Sequence, residues 1–72
     1  MSHPDEARAG SRITPAERRA LDAVARHGTV KAAAFALGKR PKTIEHQLAT
    51  ARRRLGVDTT LQAAVIVRDG AG

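Results

Sequence analysis

The sequence has no cysteine, one aromatic residue and no long apolar run. The absence of cysteine excludes disulfide scaffolds and zinc sites built on thiolates. Because Phe35 is the one aromatic residue, the chain lacks a stacking platform for single-stranded nucleic acid. No apolar stretch approaches the ~18 residues of a membrane span, and the amino-terminal segment does not resemble a signal peptide. We therefore expect a soluble, cytoplasmic protein with no membrane partner.

Motifs for catalysis or metal binding are also missing from the sequence. Its three histidines and seven acidic residues show no metal-ligand spacing. The sequence contains no nucleophile–base pair and no glycine-rich phosphate loop. We therefore expect neither an enzyme nor a protein with a bound cofactor.

The chain is small, rich in alanine and basic. Its 72 residues suffice for one domain, and alanine supplies half of the 42% of residues that are apolar. A domain of this size buries only ~60% of its unfolded surface, so a second chain would help to stabilise it. The formal net charge of +6 favours an anionic partner, for which nucleic acid is the first candidate. The alternative is a charged surface that only keeps the protein soluble.

The amino-terminal segment differs in composition from the rest of the chain. Residues 1–12 are polar, contain proline and glycine, and lack apolar periodicity. This predicts a flexible arm, followed by a domain over residues 13–70. A capping box of Thr14 and Glu17 begins the first helix of that domain, and Gly28 ends it.

Three further helices follow from similar signals. The second has a cap at Thr29 and a stop at Gly38. The third begins at Pro41, which suits the first position of a helix, and ends before Gly56. The fourth spans residues 60–68, and its capping box is formed by Thr59 and Gln62. Because no segment requires a β-strand, the sequence predicts an all-α, four-helix domain.

The apolar spacing within the first two helices predicts which side chains form the core. Residues at i, i+3 and i+4 share one face of a helix. On this basis the side chains expected to point inward are Leu21, Val24, Ala25, Val30, Ala33, Ala34 and Leu37. Phe35 lies off this stripe, and we expect it to fold over the edge of the core rather than mark a binding site.

The third helix has one apolar stripe and one polar face. Its apolar stripe consists of Ile44, Leu48, Ala51 and Leu55. A short second helix, a turn at residues 38–40 and a longer third helix over 41–54 form the layout of a helix-turn-helix. The polar face of such a helix fits the major groove of DNA, which is ~12 Å wide.

Basic residues flank this polar face. Between residues 39 and 54, six basic residues and one acid, Glu45, give a net charge of +5. The basic residues lie on both sides of a nearly neutral centre, as expected for phosphate contacts around a base-reading surface. If about five phosphates are neutralised per chain, the slope of log binding constant against log salt concentration should be about −4.5.

The centre of the fourth helix, residues 63–67, is apolar on all sides, and a monomer of this size cannot bury every side of a helix. We predict that one face packs inward and that the other meets another surface, because exposed apolar strips usually mark interfaces. The inward face is assigned Leu61, Ala64 and Val65, and the interface face Ala63, Ile66 and Val67.

Four segments in order carry a family resemblance: ITPAERRALDAVARHG, TVKAAAFALG, KTIEHQLATARRRLGV and TTLQAAVIV. Within residues 13–68, they resemble the LuxR-type (GerE-like) DNA-binding domain of bacterial regulators. The resemblance implies a four-helix domain whose third helix reads double-stranded DNA and whose fourth helix pairs two copies on an inverted repeat. It therefore implies sequence-specific DNA binding and transcription regulation by a homodimer. The interface face of the fourth helix, with Ala63, Ile66 and Val67, is then the dimer interface.

The resemblance also assigns roles to individual residues of the third helix. The base-facing positions correspond to Glu45, His46 and Ala49, and the phosphate-contacting positions to Lys42, Thr43, Gln47 and Arg53. Glu45 is either an acceptor for cytosine N4 or an exposed acid that only repels phosphate. His46 either bonds a purine or phosphate or is a solvent-exposed imidazole. Ala49 is suited to apolar contact with a thymine methyl group.

The sequence departs from the family pattern at two places. Ala32 and Ala33 stand where the family usually has Glu-Ile, which weakens the start of the second helix. Arg40 stands where a serine or threonine usually caps the third helix, and arginine cannot serve as this cap. Pro41 partly compensates, because its φ angle is fixed near the helical value.

Two other families and one other class of function compete with this interpretation. TIEHQLATARRRLG is similar to region 4 of sigma factors, which lack an equivalent of the LQAAVIV helix. ARHGTVKAAAFALG is similar to the start of LysR-type regulators, which continue into a winged β-hairpin where TTLQAAVIV predicts a helix. The other class is a small protein-interaction module, in which helix 60–68 docks on another regulator or on RNA polymerase.

Overall fold

A computed structural model describes residues 13–70, which form four α-helices and no strand. The helices are α1 (Pro15–His27), α2 (Val30–Leu37), α3 (Pro41–Leu55) and α4 (Thr60–Arg68). The all-α prediction is confirmed, and α3 is one residue longer than the predicted 41–54. The arm predicted over residues 1–12 lies outside the described residues. Within residues 13–70, no helix is long and apolar enough to cross a membrane.

Side-chain caps set the starts of α1, α2 and α4. Thr14 and Glu17 exchange side chain–backbone hydrogen bonds of 3.1 Å at the start of α1. Thr59 and Gln62 do the same at the start of α4, at 3.0 and 3.1 Å. The Thr29 hydroxyl accepts a backbone N–H in the first turn of α2. These bonds satisfy donors that a first helical turn leaves without a partner, so the predicted caps are confirmed.

The core lies where α1 and α3 pack against each other, with α2 and α4 packed against both. Leu21 and Ile44 are its largest fully buried side chains. Among the described residues, six of the ten buried apolar ones are alanine: Ala20, Ala23, Ala33, Ala34, Ala51 and Ala63. Small side chains at helix contacts let the axes approach closely, but each one removes little apolar area from water. The stability of the fold therefore depends on a few large side chains.

Most of the predicted inward positions in α1 and α2 are confirmed. Buried or partly buried against the core are Leu21, Val24, Val30, Ala33, Ala34 and Leu37. The prediction is wrong for Ala25, which is exposed. The buried face of α1 is turned instead toward Glu17 and Ala20, which precede Leu21 and Val24, respectively, by four residues.

The prediction for Phe35 is wrong. Its side chain is 89% exposed on the outer face of α2. Ala34 occupies the inward position, and one residue further along a helix is a rotation of about 100°, which turns Phe35 away from the core.

We expect Phe35→Ser to change the free energy of unfolding by no more than about 0.5 kcal/mol, because an exposed side chain makes few contacts to lose. Urea denaturation followed by circular dichroism measures this change. A loss above about 1.5 kcal/mol would show that Phe35 is packed in the folded protein.

Candidate nucleic-acid interface

A tight turn fixes the direction in which α3 leaves α2. Gly38 ends α2 with φ of 66°, a left-handed conformation that glycine adopts without steric cost. The Gly38 N–H donates to the Phe35 carbonyl at 3.2 Å, and the Lys39 N–H donates to the Ala34 carbonyl at 2.9 Å. Arg40 stands at the N-cap of α3 and makes no side-chain capping bond there, as predicted. Because only three residues separate the two helices, α2 and α3 have the short connection of a helix-turn-helix.

Two stripes with the same spacing run along α3 on opposite faces. The inner stripe consists of Ile44, Leu48, Ala51 and Leu55, of which the first three are buried and the last packs against the core. The outer stripe consists of Lys42, His46, Ala49 and Arg53. The stripes are offset by two residues, or about 200° around the helix. Burial of the inner stripe therefore turns the outer one to the surface, and the predicted apolar stripe is confirmed.

The predicted site residues come together on this outer side of α3. Exposed are Lys42, Thr43, Glu45, His46 and Arg53, and half-buried are Gln47 and Ala49. The first four line a shallow surface depression at the start of the helix. The interpretation of α3 as a reading helix requires that the Glu45–His46 edge be uncovered by the protein itself. The exposure of both residues meets this requirement.

The three consecutive arginines at the end of α3 point in three directions. Arg52 donates from Nη1 to the Thr60 hydroxyl of α4 at 2.9 Å. Arg54 lies with Nε 3.4 Å from the Glu17 carboxylate of α1. Arg53 is exposed, as its assignment to phosphate contact requires. The sequence assigns phosphate contact to Arg53 alone, but it does not identify the partners of Arg52 and Arg54, because these partners lie on other helices.

The contacts of Arg52 and Arg54 with other helices lower the number of cations that are available for phosphate. Within residues 39–54, two of the six basic residues are engaged with α1 and α4. The other four are exposed: Lys39, Arg40, Lys42 and Arg53. If four phosphates are neutralised per chain, the expected slope of log binding constant against log salt concentration becomes about −3.6 instead of −4.5.

Sequence reasoning missed the burial of Glu17. This carboxylate is part of the capping box, but its side chain is only 8% exposed. Its Oε1 accepts the Thr14 N–H at 3.1 Å and lies beside the Arg54 guanidinium. A buried carboxylate needs such partners, because an unpaired charge out of water is costly. The sequence did contain a signal for this burial. Glu17 precedes Ala20 and Leu21 by three and four residues and therefore lies on the buried face of α1.

The assignment of faces on α4 requires a correction. Ala63, predicted at the dimer interface, is fully buried, and Val67 packs against the core. Leu61 and Val65, predicted to point inward, are 71% and 39% exposed. Ile66 is half-buried at the flank. The error has a physical cause: a helix that is apolar on all sides carries no periodicity, and only its contacts with α1 and α3 select the inner face.

The exposed side of α4 is nevertheless apolar. Leu61 and Val65 are one turn apart, and two shallow apolar grooves run along them. The groove toward α1 is lined also by Leu21, Asp22, Ala25, Ala64, Val67 and Arg68. The groove on the other side is lined also by Val57, Gln62 and Ile66. An unpartnered apolar strip is therefore present on α4, as predicted, but it is centred on Leu61 and Val65.

Comparison of the chain with models of protein families, with curated proteins and with solved structures finds no match.

Proposed function

We propose that this protein binds double-stranded DNA sequence-specifically and regulates transcription in the cytoplasm. In this proposal α3 enters the major groove, and the domain is of the LuxR type that its four segments resemble. Base contacts are assigned to Glu45, His46 and Ala49, and phosphate contacts to Lys42, Thr43, Gln47 and Arg53. The proposal contains no catalytic step and no cofactor.

The observation that carries the proposal is the pair of opposed stripes on α3. One stripe anchors the helix in the core, while the other presents a polar edge with exposed cations before and after it. A helix held in this way fits the major groove, where base edges are read and flanking phosphates position the protein. A surface that serves only solubility does not require cations clustered around one helix face.

The exposed edge of α4 supports a homodimer. Leu61 and Val65 form an apolar strip on the surface of a chain that is small for a stable monomer. Pairing of two copies through this edge would bury the strip and place two copies of α3 on an inverted repeat. The same strip also favours a second candidate function, a protein-interaction module that docks through α4 on another regulator or on RNA polymerase.

Selection of bound sequences from a random duplex pool tests the proposal. We expect a preference of at least ~10³-fold for the selected sequence over random duplex, and a salt slope of about −3.6 per chain. Binding of all duplexes with equal affinity would refute sequence-specific reading. In that case the interaction module becomes the better explanation of the α4 strip.

Glu45→Ala tests whether this carboxylate reads a base. If Glu45 accepts a hydrogen bond from a base, the variant should lose ~1–3 kcal/mol of discrimination at one position of the half-site. A second selection with the variant measures this change. Asp58→Ala is the matched control, because it removes the same charge from an exposed loop residue outside α3. If the Glu45 variant and wild type prefer the same sequences, Glu45 does not read a base. Repulsion of phosphate is then its remaining role.

A further inference from the structure

The backbone donors of the corner between α3 and α4 are all satisfied by hydrogen bonds. The connection has four residues, 56–59. The Val57 N–H donates to the Arg52 carbonyl at 3.0 Å. The N–H groups of Asp58 and Thr59 both donate to the Gln62 side-chain oxygen, at 3.1 and 3.0 Å. The path of the chain from the last turn of α3 to the first turn of α4 is therefore closely defined.

Arg52 adds a side-chain link across this corner. Its guanidinium donates to the hydroxyl of Thr60, the first residue of α4, at 2.9 Å, and both residues are half-buried. Its carbonyl accepts the hydrogen bond from Val57 that closes the end of α3. Arg52 is thus held at its backbone and at its side chain, and it joins the two helices that the corner connects.

We propose that Arg52 is a positioning residue that sets the angle between α3 and α4 through Thr60, and thereby the half-site spacing that a dimer accepts. This inference rests on the proposed function, in which α3 reads DNA and α4 pairs two copies. In a two-fold dimer, the α3–α4 angle within each copy determines the separation and relative rotation of the two reading helices. One turn of DNA has about 10 base pairs, so one added base pair rotates a half-site by roughly 35°. A small change in the angle therefore alters the preferred spacing.

The experiment compares wild type with Arg52→Met and Thr60→Val. Methionine keeps an aliphatic stem without the guanidinium, and valine matches the shape of threonine without the hydroxyl. The probes are duplexes with the half-site selected by wild type, alone or as inverted repeats whose spacers differ by one base pair. Both variants should lower the preference for the best spacing over its neighbours by about tenfold, the size of effect expected from one charge-assisted hydrogen bond. Affinity for a single half-site should stay within about twofold of wild type.

Arg53→Met is the matched control, since it makes the same change one residue away on an exposed side chain. It should weaken binding at every spacing alike and reduce the salt slope by about 0.9, with the spacing preference unchanged. Arg52→Met should leave the salt slope unchanged. The double variant of Arg52 and Thr60 should behave like either single one, because both remove the same interaction.

The outcomes separate this inference from the proposed function. Unchanged spacing preference in both variants, or failure of both to fold, overturns the role of Arg52 while DNA reading stands. A wild-type protein that reads single half-sites with no spacing preference also overturns it. A wild-type protein that binds all duplexes equally refutes the proposed function, and the inference fails with it.

Discussion

Replacing Ile44 with alanine is expected to remove most of the stability of the domain. Ile44 is fully buried and is one of the two largest such side chains in a core otherwise rich in alanine. Truncation of a buried isoleucine to alanine costs ~2–5 kcal/mol, because transfer free energy is lost and a cavity is left. A domain of this size has a total stability of about 3–9 kcal/mol. The neighbouring side chains are too small to fill the cavity by moving, so the loss of stability should lie in the upper part of this range.

Urea denaturation of Ile44→Ala and wild type at equal protein concentration measures this effect. The conservative variant Ile44→Val is the control, with an expected cost of ~0.5–1.5 kcal/mol. A cost of less than about 1 kcal/mol for the alanine variant would contradict the packing of α3. Such a result would also remove the anchor on which the reading face depends.

Leu61→Glu is expected to give a folded monomer with greatly weakened binding to paired half-sites. Leu61 is 71% exposed in the first turn of α4, where a carboxylate interacts favourably with the helix dipole. Folding should therefore be retained. If the Leu61–Val65 strip is the dimer interface, a charge at its centre costs at least about 2 kcal/mol, or roughly 30-fold in affinity for an inverted repeat. Analytical ultracentrifugation and binding to duplexes with one or two half-sites measure the two effects.

Phe35→Glu is the matched control for this experiment. It also converts an exposed apolar side chain into a carboxylate, but on α2, away from the strip. The control variant should remain a dimer. Persistence of the dimer in Leu61→Glu would place the interface elsewhere, whereas loss of the dimer in both variants would point to a general effect of charge.

The helix boundaries were predictable because they depend on neighbours in the sequence. Thr14 with Glu17, and Thr59 with Gln62, form capping boxes within four residues, and three of the helices end at a glycine. The face of α3 was predictable as well, since its narrow apolar stripe allows only one orientation. These features account for the confirmed four-helix architecture and for the exposed position of Glu45 and His46.

Features that depend on contacts between distant residues were not predictable. Arg54 pairs with Glu17 on another helix, and the sequence next to either residue does not indicate that the two pair. The inner face of α4 was assigned wrongly, since a uniformly apolar helix fits a core in several rotations, and contact with α1 and α3 selects the side of Ala63. The proposed roles of the α3 side chains toward DNA rest on the family resemblance and on the exposure of these residues, and the selection experiments test them.

The alanine-rich contacts between the helices have a consequence for how this protein can diversify. Where Ala20, Ala33 and Ala51 lie fully buried, an added methyl group would overpack the interior, so these positions tolerate little variation. Glu45 and His46 on the opposite side of α3 are exposed and have no such constraint from the interior, whereas Ala49 is half-buried. A constant scaffold with an interchangeable edge is suited to engineering. Libraries randomised at positions 45 and 46 should yield folded variants, and the proposed function predicts that some of these variants bind new DNA sequences.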